Sequence, residues 1–290
     1  MTAVLLSLGA AITFALSAMF VAATAGRLSV FQLARWQMGL AFVALAALSG
    51  LTGGWAAVTG GQLGLLAASS AVGIMLATST YLATIQAAGP RISAVLFSLA
   101  SPFAVALGWL FLDEHLSLGQ LAGIALILLG IVLAVIAEKG GDQVLTRPLW
   151  QGIALGVVTA LGQSVGSLLA RPAMAEGVEP FTAMAIRSGL GFVFFLALIA
   201  LPFGRAPALP GLRDLRHVAW SALFGMVLGM SLLMAALAVG EVGIVSTLSS
   251  TTPLLILPMV WIVSRRPPPP LAWVGAGMAV AGTGLISIFG

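Results

Sequence analysis

Charge-free apolar stretches of about twenty residues recur from one end of this chain to the other, and that recurrence constrains its fold more than any motif. A bilayer core about 30 Å thick needs roughly 20 apolar residues per helix. The pattern predicts helices near 2–24, 30–49, 63–86, 92–111, 118–137, 149–170, 180–201, 217–239, 243–263 and 271–289. Only 7% of the residues are charged and 60% are apolar, against about 25% charged in soluble domains. The expected fold class is therefore an all-α membrane protein with ten transmembrane helices and the lipid bilayer as its medium. The 35 glycines suit close helix–helix approach in lipid.

Connections are marked by residues that helices do not keep. The uncharged run from Trp36 to Pro90 must hold two helices, with Gly50-Leu51-Thr52-Gly53-Gly54 and Thr59-Gly60-Gly61 as the break between them. Glu138-Lys139-Gly140-Gly141-Asp142 is the most polar segment in mid-chain and reads as the joint between halves. Arg265-Arg266 followed by Pro267 to Pro270 is another abrupt connector. Ala23-Thr24-Ala25 looks like a signal-peptide cleavage site, but Met1 to Ala22 has no basic n-region, so it reads as a retained first helix.

The halves share features in chain order. Ser98-Leu99-Ala100-Ser101-Pro102 matches Ser249-Ser250-Thr251-Thr252-Pro253 at an offset of 151. Arg35 matches Arg187, and Gly123 and Gly130 match Gly275 and Gly282, at 152; Leu8-Gly9 and Ser17 match Leu155-Gly156 and Ser164 at 147. The division expected is a first five-helix repeat over 1–137, a linker over 138–148 and a second repeat over 149–290. An odd helix count per half sends the second half into the membrane from the opposite side, an inverted repeat. Arg27, Arg91, Lys139, Arg147, Arg205, Arg213, Arg216, Arg265 and Arg266 fall at joints after odd-numbered helices, whereas Arg171 alone falls on the other side. The positive-inside rule then puts both termini on the non-cytoplasmic side of the cell inner membrane.

Several functions lack their parts. There is no cysteine for thiolate chemistry or disulfides, and no phosphate-binding Gly-Lys-Ser/Thr loop. His115 and His217 are read as loop residues, so neither a metal cluster nor an intramembrane serine–histidine pair is expected. No acidic residue is placed inside a span, which disfavours a helix-one carboxylate for cationic drugs. The net charge of +4 is scattered between spans, so nucleic acid is not an expected partner.

Polar residues inside the spans are the candidate site. Arg35 and Arg187 are read either as contacts for a substrate carboxylate or as side chains that snorkel or bind loop carbonyls. The structural role is the ordinary one, and Arg187 is carried as the substrate candidate. Pro102 and Pro253 free carbonyls at matched depths, with Ser98, Ser101, Thr251 and Thr252 within a turn to satisfy them. They are read as hinges of a deformable cavity wall or as fixed kinks. Trp36, Gln37, Tyr81, Gln86, Gln163, Ser17 and Ser164 complete the expected lining, against interhelical hydrogen bonding as the alternative for each amide. Trp55, Trp150, Trp220, Trp261 and Trp273 read as interfacial anchors, Trp109 stays ambiguous, and Asp113-Glu114-His115 reads as a solvated helix boundary.

Ala88-Gly89-Pro90, Ser101-Pro102-Phe103, Leu112-Asp113-Glu114-His115-Leu116-Ser117, Gln120, Gly123 and Gly130 together resemble the EamA family of the drug/metabolite transporter superfamily. Gly240 to Gly284 resembles it more loosely, with Arg266 where the first half has Glu114. The resemblance implies ten spans and export or exchange of small metabolites, commonly amino acids, or of drugs. The expectation is an alternating-access carrier for small organic solutes, hydrophobic or aromatic amino acids first, working as a monomer without cofactor or metal. Multidrug export is the rival within transport, and a non-transporting receptor or scaffold the rival outside it.

Overall fold

The computed structural model describes residues 1–24, 27–137, 147–201, 209–265 and 268–289. For 86, 88–92, 94–95, 134–137, 147–149, 253, 260, 263–264 and 287 it describes the backbone alone. Most of the expected linker, with Lys139, and also Arg205 and Arg266 lie outside the described residues. So do the side chains of Gln86, Arg91, Arg147 and Pro253.

The protein is all-α. The helices are α1 (Thr2–Ala22), α2 (Val30–Thr52), α3 (Gly60–Ser70), α4 (Ala77–Ser98), α5 (Ala100–Leu112), α6 (Leu118–Ala137) and α7 (Arg147–Ala175). They continue as α8 (Pro180–Ala197), α9 (Leu212–Ser221), α10 (Met230–Val239), α11 (Val242–Ser249), α12 (Thr252–Ser264) and α13 (Pro270–Phe289). Two π-helical segments, Ala71–Leu76 and Ala222–Gly229, join α3 to α4 and α9 to α10. Among the described residues, seven helical stretches are long and apolar enough to cross a membrane: Thr2–Ala22, Val30–Thr52, Gly60–Ile85, Trp150–Ala175, Pro180–Ala200, Leu212–Val239 and Val242–Met259. Leu96–Leu112, Leu118–Leu133 and Pro270–Ile286 are apolar but shorter. The chain is thus a multi-pass membrane protein.

Helix ends follow local chemistry. The Ser29 hydroxyl accepts the Gln32 N–H at the start of α2, and Gly53 closes the helix at φ +73°, a conformation that only glycine adopts freely. Thr59 with Gln62 and Ser117 with Gln120 form reciprocal caps at the starts of α3 and α6. The connection expected over Gly50–Gly61 is thereby found, holding a 3-10 turn at Gly54–Ala57.

Three boundaries differ from expectation. Helix α4 continues through Gly89-Pro90 and is interrupted only at Leu99, because a proline removes one hydrogen bond yet is tolerated in a membrane helix. The ninth expected span is split at Ser250-Thr251. The eighth begins at Leu212, so His217 sits in α9 and not in a loop; its Nδ1 lies 2.7 Å from the Arg213 carbonyl one turn back.

Packing follows a pairwise exchange. Helix α2 packs on α8 and α6 on α13; α3 and α4 pack on α7, while α1 packs on α10 and the second π segment; α5 packs on α7 and α11, and α12 on α1. Swapping the two halves returns most of these pairs, though α5 on α11 has no counterpart in α12 among the described residues. Both self-paired contacts are antiparallel. Ser49 bonds Thr182, Gly189 lies under Phe42 and Gly39 under Phe192. Gly123 and Gly130 similarly meet the backbone carbonyls of Gly282 and Gly275. These glycines let the backbones touch, as small residues do between helices in lipid.

Candidate functional site

Arg187 is the largest fully buried side chain among the described residues, with 1% of its surface exposed. Its first-turn neighbours explain why the chain can fold around it. Glu179 caps α8 through the Phe181 and Thr182 N–H groups, and Pro180 opens the helix. The next residues, Thr182 to Ser188, are all buried, so α8 enters the bundle with no lipid-facing side for a guanidinium to escape along. Opposite lies the first π segment. A Cβ at Gly73 would stand 3.0 Å from Gly166 Cα and 3.2 Å from Arg187 Nη2, so the absent side chain is what admits the guanidinium. Ser70, just before the bulge, donates to the Arg187 backbone carbonyl at 2.8 Å.

Among the described residues the guanidinium has no acidic partner. Nη1 faces the sulfurs of Met234 at 3.3 Å and Met184 at 3.6 Å, weak acceptors at best. Nε is buried with no partner, and so is the hydroxyl of Ser231, one turn before Met234 on α10. An unpaired charge in such a medium costs several kcal/mol. Helices α8 and α10, which meet at Arg187 and Met234, therefore each carry an unsatisfied buried donor, a cation on one and a hydroxyl on the other. A buried cation with thioether neighbours has the chemistry to pair with an anion that carries an apolar body.

The other expected lining residues fall into separate groups. Ser17 donates to the Ser221 carbonyl at 2.8 Å, and Gln37 donates to the Ser221 hydroxyl at 3.0 Å, where α1 and α2 meet the second π segment. Ser164 donates to the Ala100 carbonyl at 2.6 Å, and Ser101 bonds Thr247, where α5 meets α7 and α11. Thr251 donates to the Leu248 carbonyl at 2.7 Å. Thr252 donates to the Ser249 carbonyl at 2.8 Å, the group that Pro253, lacking an N–H, leaves free. Ser98 is buried and Trp36 half-buried. Tyr81 stacks edge-on against Phe97 at 5.7 Å between ring centres, and half-buried Gln163 makes no hydrogen bond to a described residue. No hydrogen bond links these groups to Arg187. The tryptophans expected at interfaces, and Trp109, are 40–60% exposed.

Glu114 departs from its expected role as a solvated boundary residue. Both its carboxylate oxygens accept the Val242 N–H, at 3.0 and 2.9 Å, so it caps α11 across the two halves. Gly108 leaves the space in which its carboxylate sits. Burial pushes the Glu114 carboxyl above the ordinary range, opposed by the Val242 N–H and the Arg171 charge. Glu241 is pushed up by burial and then by the Glu114 charge, with Arg171 opposing. Glu241 Oε2 and Arg171 Nε are buried without partners. The sequence reading missed this cluster and both π segments. The equivalent glycines Gly73 and Gly225 were the available signal for the segments.

A model of the EamA-like transporter family matches residues 1–136 and again 150–288. A protein from Streptantibioticus cattleyicolor named "Probable terminal-alkyne amino-acid exporter" is 30% identical over 206 residues; the match spans 67% of this chain and 63% of that relative's length. A crystal structure with 16% sequence identity superposes with a TM-score of 0.83, covering 99% of this chain and 96% of that one, so the fold is shared. The chain belongs to the EamA-like transporter family.

Proposed function

We propose that this transporter carries small organic solutes bearing a carboxylate, hydrophobic and aromatic amino acids first among them, and that Arg187 binds the carboxylate. The observation that carries the reading is a fully buried guanidinium with thioether neighbours and no acidic partner among the described residues. A substrate carboxylate supplies the missing charge, and its side chain lies against Met184 and Met234, which adapt to varied apolar shapes. The amino-acid exporter resembled by part of the chain supports the same class.

Ten spans in two inverted repeats, 1–137 and 149–290 joined by 138–148, rock about this site to give alternating access. Tyr81, Gln163 and the Pro102 and Pro253 helices form the moving wall. The chain acts as a monomer in the inner membrane, with both termini outside the cytoplasm.

The test is counterflow of L-phenylalanine in proteoliposomes, with phenylalaninamide as the probe lacking a carboxylate. R187Q lowers phenylalanine exchange by roughly tenfold or more, in keeping with a charge-assisted hydrogen bond, and spares the amide. Unchanged phenylalanine exchange in R187Q removes the assignment of Arg187, and unchanged exchange in Y81A and Q163A removes theirs.

A further inference from the structure

Arg35 repeats the situation of Arg187, 152 positions earlier. It is 9% exposed, makes no hydrogen bond to a described residue, and its Nη1 is buried without a partner. Among the described residues the ion pair is Arg27 with Asp214, which leaves both buried arginines uncompensated. The surroundings are also paired: α8, bearing Arg187, packs on the first π segment, and α2, bearing Arg35, packs on the second. A π segment inside an α-helix is uncommon and concentrates at functional sites; among the described residues two occur, the first beside Arg187 at Gly73 and the second packed on the helix that bears Arg35. A freely snorkelling guanidinium would end wholly at the surface, whereas Nη1 of Arg35 is held inside.

Register gives the depths. Gly39 faces Phe192 and Phe42 faces Gly189, so each step forward on α2 meets a step back on α8. Arg187, two residues before Gly189, is level with Ala44. Arg35 lies nine residues before Ala44, about 14 Å along the axis at 1.5 Å per residue. The halves cross near Gly39 and its equivalent Gly191, which puts each arginine about 7 Å from the crossing, on opposite sides. Arg35 is nearer the Arg27 end of the bundle and Arg187 nearer the Glu179 end.

We infer that Arg35 is a second carboxylate-binding point, equivalent to Arg187, so that a substrate anion rests on one arginine in each access state. This rests on the reading of Arg187 as a carboxylate ligand. A single buried cation would make the anion's departure to one side steeply uphill. Two equivalent ones on either side of the middle level the path, and one bound anion relieves the repulsion between two like charges in a poorly screened interior.

The test measures L-phenylalanine and phenylalaninamide transport by the full chain in whole cells and in inverted vesicles, which present opposite faces. Arg35→Gln raises the half-saturating phenylalanine concentration roughly tenfold at the face nearer Arg27, less than twofold at the other, and spares the amide at both. Arg187→Gln gives the mirror result. Arg35→Lys, which keeps the charge, retains most of the affinity and shows that the site still folds. Loss of both probes at both faces in R35Q, with R35K equally impaired, assigns Arg35 to structure and overturns the inference. Should R187Q alone weaken phenylalanine, the proposed function stands and this inference falls. An effect of R35Q without one of R187Q overturns the assignment of Arg187 and the equivalence of the two.

Discussion

Gly123 and Gly282 hold α6 and α13 in backbone contact, and replacing either with alanine separates two opposing effects. A Cβ at Gly123 would stand 2.7 Å from the Gly282 carbonyl oxygen, and one at Gly282 would stand 2.6 Å from the Gly123 oxygen. Ordinary contact begins at 3.4 Å, so the helices must part by 0.7–0.8 Å. A gap of that size forfeits a quarter to a half of each dispersion contact, and overpacking of this kind costs about 1–3 kcal/mol. Helix propensity returns up to about 1 kcal/mol. The net loss is up to about 2 kcal/mol, a fall in Tm of up to roughly 8 °C on the scale of soluble proteins of similar size. Gly277, also on α13, has nothing within 4 Å, so Gly277→Ala collects the propensity alone and melts no lower than wild type. The assay is heating in detergent followed by size-exclusion recovery. Gly123→Ala and Gly282→Ala melting with Gly277→Ala would refute the close approach.

Glu114 and Glu241 set a pH dependence. Their folded carboxyls lie above the unfolded value of about 4.3, so the folded state holds these protons more tightly and stability falls as pH rises from near 4 through the raised values. Tm in detergent is therefore higher at pH 5 than at pH 8, and Glu241→Gln flattens the slope. Thr252→Val leaves the Ser249 carbonyl unsatisfied and costs about 1–3 kcal/mol by thermal melting; adding Pro253→Ala restores an N–H to that carbonyl and most of the loss. Asp214→Asn breaks the exposed Arg27 pair and shifts Tm by no more than about 4 °C, since such pairs contribute about 0–1 kcal/mol.

Seven of the ten expected spans were legible because lipid punishes charge along every turn, and a run such as Thr2 to Ala22 has no other reading; the fourth, fifth and tenth are apolar helices of shorter length. Caps were legible too: Thr59 with Gln62 encodes its own local geometry. The hydroxyls flanking Pro253 were picked out by the physics of a missing N–H, and Thr252 fills that role. The rest depends on neighbours distant in sequence. Glu114 looks like a solvated turn residue until Val242, more than a hundred positions away, is known to stand beside it. Arg35 and Arg187 could not be assigned depths until Gly39 and Phe192 fixed the register of α2 on α8. The π segments leave no periodic trace, since one extra residue per turn shifts a hydrophobic pattern too little to read.

Asp113 and Arg265 are the non-glycine residues that adopt a left-handed conformation among those described, at φ +52° and +55°, and they stand at equivalent turns of the two halves. The backbone is thus duplicated faithfully where the side chains are not, for the residue after Asp113 is an acid and the one after Arg265 is a base. A perfectly duplicated carrier would open towards either compartment with equal ease. Here a charged acceptor clasps Val242 at one end, and its counterpart can accept no N–H. Under the alternating access proposed above, a bond of about 1.5–3 kcal/mol made in one opening alone corresponds to a bias of roughly tenfold to a hundredfold, so one carboxylate would make such a two-way frame unequal.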